Sequence, residues 1–101
     1  MSDKYILDGH SVIPCEDIFQ WGEWFEKANR SVARTQIGKA VVSTVFLGID
    51  HSFGYGLPLL FETMIFGGPH DDYQARCSTW DEAVKMHELA CAELTAPELE
   101  M

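Results

Sequence analysis

Two nearly unbroken apolar runs, Val41–Leu47 (VVSTVFL) and Leu59–Phe66 (LLFETMIF), constrain the fold more than any other feature of the chain. They are rich in β-branched and aromatic residues and have the length of strands rather than of helices. Neither alternates cleanly, so both are predicted to be central strands with apolar side chains on both faces of a sheet. Upstream, Val32–Ile37 is a further run of β-formers, and Gly38-Lys39 supplies a tight turn into Val41–Leu47. Downstream, GGPHDD is dense in turn residues and YQARCS alternates, which predicts a fourth strand at the sheet edge.

Helical spacing appears on either side of these strands. Ile18, Trp21, Phe25 and Ala28 form a stripe within Glu16–Asn29, widened by Phe19 and Trp24, with Pro14 and two acidic residues at its start. Near the C-terminus, STWDE places Thr79 as an N-cap with Glu82 three residues on, the pattern of a capping box. Trp80, Ala83, Val84, His87, Cys91 and Leu94 then make one stripe, and Pro97 ends the helix. At the other end, Tyr5–Leu7 and Val12–Ile13 flank Asp8-Gly9, a pair that favours a hairpin turn.

This order predicts an α+β fold: a three- to four-stranded antiparallel sheet with two helices packed on one face, in a single domain over residues 1–101. Residues 1–4 and 96–101 are expected to be flexible. With 47% hydrophobic residues, the chain has enough apolar material for a core without staples. If the helices cover one face, the other must be covered by loops, by the N-terminal segment, or by a second molecule. A homodimer or a protein partner is therefore expected.

Charge narrows the partner. Sixteen acidic against seven basic residues give a formal charge of −9. Direct binding to nucleic acid or to an anionic membrane is disfavoured, and a basic protein partner or mimicry of nucleic acid is not. The three cysteines, Cys15, Cys77 and Cys91, show no CxxC spacing and read as reduced thilos of a cytoplasmic protein. No signal peptide is visible, and no run approaches the roughly 20 apolar residues of a membrane span.

Chemistry-bearing residues gather in and beside the connection Gly48–Pro58 (GIDHSFGYGLP). It exceeds the two to five residues a hairpin needs, and it carries polar groups that core-building does not require. Asp50 and His51 are adjacent there, as an acid–base pair or a ligand anchor would be, and Phe53 and Tyr55 follow as contact aromatics. Glu62 interrupts an apolar strand, where an unpaired carboxylate is costly. A register placing Arg34 opposite Ser43, Ser43 opposite Glu62 and Glu62 opposite Cys77 would let Arg34 reach Glu62 across the sheet. The bland alternatives are loop structure for Asp50 and His51 and a structural ion pair for Glu62. His87, in an apolar stripe, reads as a core histidine. Cys15 with His51 would make a nucleophile pair, but nothing in the sequence brings them together. No metal-ligand spacing and no phosphate-binding glycine motif is present, so no metal or cofactor is expected.

The segments VIPCED…WGEWFE, VSTVFLGIDHSFG, PLLFETMIFGG and STWDEA…H resemble a family of small uncharacterised proteins encoded by bacteriophages and prophages. The resemblance implies a phage-related setting in the host cytoplasm and a shared architecture around Gly48–Pro58. It implies no catalytic residue. The expected function is binding to a host or phage protein, including inhibition of host defence or nucleic-acid machinery. The alternative is a small-ligand module or enzyme built on Asp50, His51 and Glu62.

Overall fold

The computed structural model describes residues 3–95. A hairpin of β1 (Tyr5–Asp8) and β2 (Ser11–Pro14) precedes helix α1 (Ile18–Lys27). Strands β3 (Ser31–Ile37), β4 (Ala40–Phe46), β5 (Phe61–Phe66) and β6 (Gln74–Cys77) follow, and helix α2 (Trp80–Thr95) closes the order. The four later strands form one antiparallel sheet in the order β3-β4-β5-β6, so the two apolar runs are its centre. The class is α+β, as the sequence implies.

Period-two burial sorts the central strands into two faces. Ala40, Val42, Thr44 and Phe46 of β4 and Phe61, Thr63 and Ile65 of β5 are buried against α2. Ala83, His87 and Ala90 are the buried residues of α2. Cys91, Leu94 and Trp80 pack from the same stripe, whereas Val84 stands off it, exposed. The predicted capping box starts this helix: the Glu82 amide donates to Thr79 Oγ1 at 3.1 Å, and the Thr79 amide donates to Glu82 Oε1 at 3.1 Å.

Helix α1 occupies a different place from α2. Its cap is Asp17, whose Oδ1 accepts from the amides of Phe19 and Gln20. None of its residues is buried, and Ile18 and Phe19 are exposed. It reaches the α2 side of the sheet through Trp24, whose ring meets Phe46 edge-on at 5.8 Å. The reason is competition for that face. Tyr5, Leu7 and Val12 of the hairpin pack onto the cluster of Phe46, Leu60, Phe61 and Ala83, so α1 is left riding the hairpin. His10, at the hairpin tip, stacks on Trp80 at 3.9 Å and pins the hairpin to the start of α2.

The opposite face carries no helix. Its cross-strand rows are Gln36–Val41–Phe66, Arg34–Ser43–Met64–Gln74 and Ser31–Val45–Glu62–Arg76. Arg34 opposite Ser43 is as expected, because the tight turn at Gly38-Lys39 sets that register. The rest of the expected polar row is corrected. Ser43 faces Met64, and Glu62 faces Val45 and Arg76 rather than Ser43 and Cys77. Cys77 points to the α2 side, where it packs beside Phe61.

Two glycines are required by geometry. Gly67 has φ +84°, and a methyl group there would sit 2.6 Å from the Lys39 carbonyl oxygen. Gly48 has φ +78°, and a methyl group there would lie 3.1 Å from the ring of Phe25. Of the terminal residues expected to be flexible, Asp3 and Lys4 are bound to the long connection: the Asp50 amide donates to the Asp3 carbonyl, and Lys4 bridges to Ile49. Residues 1–2 and 96–101 lie outside the described residues, as does Pro97.

Candidate functional site

Strands β4 and β5 diverge into the Gly48–Pro58 connection, and the base of that connection is tightly organised. The Leu47 amide donates to the Leu60 carbonyl at 2.7 Å, and the His51 amide donates to the Leu59 carbonyl at 3.0 Å. Tyr5 donates its amide to the Gly48 carbonyl at 2.8 Å, and Trp21 Nε1 shares the same oxygen at 3.1 Å. The hairpin, α1 and the end of β4 thus converge on one carbonyl.

Asp50 is the staple of the loop. Its Oδ1 accepts from the amides of Ser52 at 2.7 Å and Leu59 at 3.0 Å, and its Oδ2 accepts from Ser52 Oγ at 3.0 Å. Partial burial pushes the Asp50 pKa up, but the hydrogen bonds from Ser52 and Leu59, aided by the neighbouring His51, outweigh it and hold the pKa below 3.8. Ser52 is itself buried, and Gly54 donates to its hydroxyl. The carboxylate does what a backbone turn would do, at a point where the chain has no partner strand.

His51 does not engage Asp50 as an acid–base pair. Its Nδ1 lies 2.8 Å from the Ile49 carbonyl oxygen. A carbonyl only accepts, so Nδ1 carries the proton and Nε2 is the acceptor of the neutral ring. Glu62 lies on the helix-free face, where Oε2 accepts from Arg76 Nε at 2.9 Å and from Gln74 Nε2 at 2.7 Å. Among the described residues, no hydrogen bond or ion pair joins Glu62 to Asp50, His51 or Arg34. The expected Arg34–Glu62 contact is replaced by Arg76–Glu62, because the longer β4–β5 connection shifts Glu62 two residues along from Ser43.

Beyond the stapled base, the loop tip is apolar and open. Phe53 is 84% exposed, Tyr55 86% and Leu57 73%. Phe53 is the one described non-glycine residue with positive φ, at 56°. A bulky side chain in that region is uncommon, and it turns the backbone so that the ring faces outward from a tight bend. Tyr55 donates its amide to the Ser52 carbonyl at 3.1 Å, which closes the bend. Asp50, His51, Phe53 and Tyr55 therefore share one loop, divided into a polar base and an apolar tip. Leu57 belongs with the tip, and GYGLP was the signal for it: a large apolar residue between turn formers has no strand to enter.

A second polar cluster lies inside the molecule. His87 is 6% exposed, with Nδ1 at 2.8 Å from Thr44 Oγ1 and Nε2 at 2.9 Å from Thr35 Oγ1. Thr44 Oγ1 also meets Thr63 Oγ1. Burial lowers the His87 pKa, opposed by the charge of Glu88. His87 is the core histidine the stripe implies, but with a partner on each nitrogen. The signal for the rest lay in parity: Thr44 sits two residues from Val42 and Phe46, and Thr63 two residues from Phe61 and Ile65, so both share the buried face.

Cys15 is buried, and burial and the nearby Glu82 push the Cys77 thiol up to about 11. No group of three or more metal-binding side chains occurs among the described residues, and no helix among them is long and apolar enough to cross a membrane. No protein-family model matches the chain, and neither a curated protein nor a solved structure does.

Proposed function

We propose that the protein acts by binding another protein, with Phe53, Tyr55 and Leu57 at the tip of the Gly48–Pro58 loop as the anchoring side chains. The observation that carries this is the pairing of three exposed large apolar residues with a base held by Asp50. Aromatic side chains are the usual hot spots of interfaces, and each contributes about 1.5–3 kcal/mol when fully buried. A loop already fixed at its base loses less conformational entropy on docking.

The resemblance to phage-encoded proteins points to a host or phage protein in the host cytoplasm as the partner. Inhibition of host defence or nucleic-acid machinery is the fullest form of this reading. The net charge of −9 favours a partner with a neutral or basic surface around its apolar pocket. A small-ligand or catalytic role for Asp50 and His51 has less support, since Asp50 and His51 Nδ1 are engaged with the loop's own backbone.

The test is quantitative affinity capture from host cells with wild type and a Phe53→Ser/Tyr55→Ser variant. The exposed substitutions leave the fold intact, checked by circular dichroism. A partner enriched by wild type and lost at least tenfold in the variant is expected. Equal retention of every specific partner by both proteins overturns the reading.

A further inference from the structure

The helix-free face of the sheet differs in charge from the rest of the molecule. Its outward strand residues include Arg34, Arg76 and Glu62 as the charged groups, although acids outnumber bases sixteen to seven in the chain. Along the two central strands between them lie Val41, Val45, Met64 and Phe66, with Ser43 as the one polar residue of that stretch beside Glu62; Phe66 is 49% exposed. Apolar side chains at the centre with Arg and Gln around them is the composition of an interface core and rim.

The hydrogen-bonding state of this face adds a specific complementarity. Arg76 and Gln74 both donate to Glu62 Oε2. Among the described residues Glu62 Oε1 has no partner, and neither has the Arg34 guanidinium. The two groups lie on strands β5 and β3, in different cross-strand rows, and make no contact within one molecule. A two-fold axis parallel to the strands lays β3 of one copy over the β5–β6 side of another. Arg34 of each copy then approaches Glu62 of the other, and the contact occurs twice.

We propose that this face is a homodimer interface: two copies pack sheet to sheet, Val41, Val45, Met64 and Phe66 at the centre, with reciprocal Arg34–Glu62 pairs. Sheets packed face to face stand about 10 Å apart with their strands aligned within about 30°. Four strands about 4.8 Å apart and up to seven residues long frame roughly 400 Å² in projection, or roughly 600 Å² of accessible surface once side-chain relief is included. Two copies bury on the order of 1,200 Å², the lower edge of specific interfaces, so self-association is sought from micromolar concentration upward. Among its outward strand residues the face carries a single carboxylate, Glu62, although the chain has a net charge of −9. The proposal is independent of the loop reading, because the assay below measures self-association alone.

The experiment is sedimentation velocity on the full chain from micromolar to near-millimolar concentration. Wild type is expected to pass from monomer to dimer across that range. Met64→Lys, which sets two like charges at the centre, and Arg34→Glu, which opposes Glu62, are each expected to weaken the dimer at least tenfold. Leu89→Lys makes the same kind of change on exposed α2 and is expected to leave it unaltered. If Met64→Lys fails to fold by circular dichroism, Arg34→Glu at an exposed edge position decides. A wild type that stays monomeric throughout overturns the proposal, whatever else covers the face. So does a dimer that Arg34→Glu and a folded Met64→Lys leave unweakened.

Discussion

Thr44→Val is the most informative single substitution in this molecule. It keeps the shape of the side chain and removes one hydroxyl from the centre of the sheet, where Thr44 and Thr63 are fully buried and His87 nearly so. That hydroxyl serves both Thr63 Oγ1 and His87 Nδ1. The neutral ring needs one donor and one acceptor, and the hydroxyls satisfy it in either sense. They can donate in sequence from Thr63 through Thr44 to Nδ1, with Nε2–H donating to Thr35. Alternatively, every donation runs in the opposite direction. Without the Thr44 hydroxyl, the chain is cut and two buried polar groups lose a partner.

Each orphaned buried group costs about 1–3 kcal/mol, so Thr44→Val is expected to destabilise by about 2–4 kcal/mol. Against a total of roughly 5–15 kcal/mol for a domain this size, that is a large shift in urea midpoint. His87→Leu removes the other partner. The double variant Thr44→Val/His87→Leu no longer contains an orphaned ring nitrogen, so its loss is expected to fall short of the sum of the singles by about 1–2 kcal/mol. Urea unfolding followed by tryptophan fluorescence measures all four corners of this cycle. A Thr44→Val loss below about 0.5 kcal/mol, or an additive cycle, would refute the idea that the hydroxyl is an essential partner of His87.

Two other outcomes follow from ionisation and from the loop base. The folded His87 pKa lies below its unfolded 6.5, so the unfolded state binds more protons at mildly acidic pH. The stability this contributes is present in full above 6.5 and is lost as pH falls from there through the folded pKa; unfolding curves for wild type and His87→Leu should differ in slope over that window, and parallel curves would contradict it. Asp50→Ala removes the acceptor for the Ser52 and Leu59 amides. Allowing for partial exposure, it is expected to cost about 1–2 kcal/mol at neutral pH. Asp50→Asn, which retains one acceptor oxygen, should cost less. The folded Asp50 pKa lies below 3.8, so the gap between wild type and Asp50→Ala should close as pH falls through it. Unchanged exchange of the Leu59 amide in Asp50→Ala would count against the staple.

Particular residues show how far the sequence carries and where it stops. Val41–Leu47 and Leu59–Phe66 declare themselves as strands because short runs this rich in β-branched and aromatic residues suit a pleated sheet, although only the α2 face of each is buried within one molecule. The Arg34–Ser43 pairing is readable because a two-residue turn leaves one register. The β4–β5 register is not readable, since no turn type ties Phe46 to Phe61 across so long a connection. Glu62 shares a face with Arg34 and Ser43, which strand parity makes readable, but its neighbours Val45 and Arg76 follow from offsets set by the long connection and by GGPHDD. The stripe of α1 is real, yet period alone does not say that Leu7 and Val12 take the sheet surface first. In the loop, Asp50 and His51 stand out by residue type, while the exposure of Phe53, Tyr55 and Leu57 depends on a bend no pattern announces.

The buried network and the open face are two consequences of one register. Sliding β5 against β4 by two residues keeps every apolar side chain on its own face, so hydrophobic burial alone discriminates poorly among such alignments. It does not keep Thr63 beside Thr44, and it breaks the hydrogen bond between these two buried hydroxyls, while the His87 bonds to Thr44 and Thr35 involve no β5 residue. Polar groups in the core are thus the terms that penalise the slipped alignments. The same alignment places Met64 between Ser43 and Gln74, and Glu62 beside Arg76, on the face away from α2. Thr44→Val should therefore loosen more than the core. By removing one penalty on slippage, it should raise amide exchange along the β4–β5 ladder more than along β3–β4, whose turn fixes it independently. Uniform acceleration across both ladders would show that the network adds stability without selecting the register.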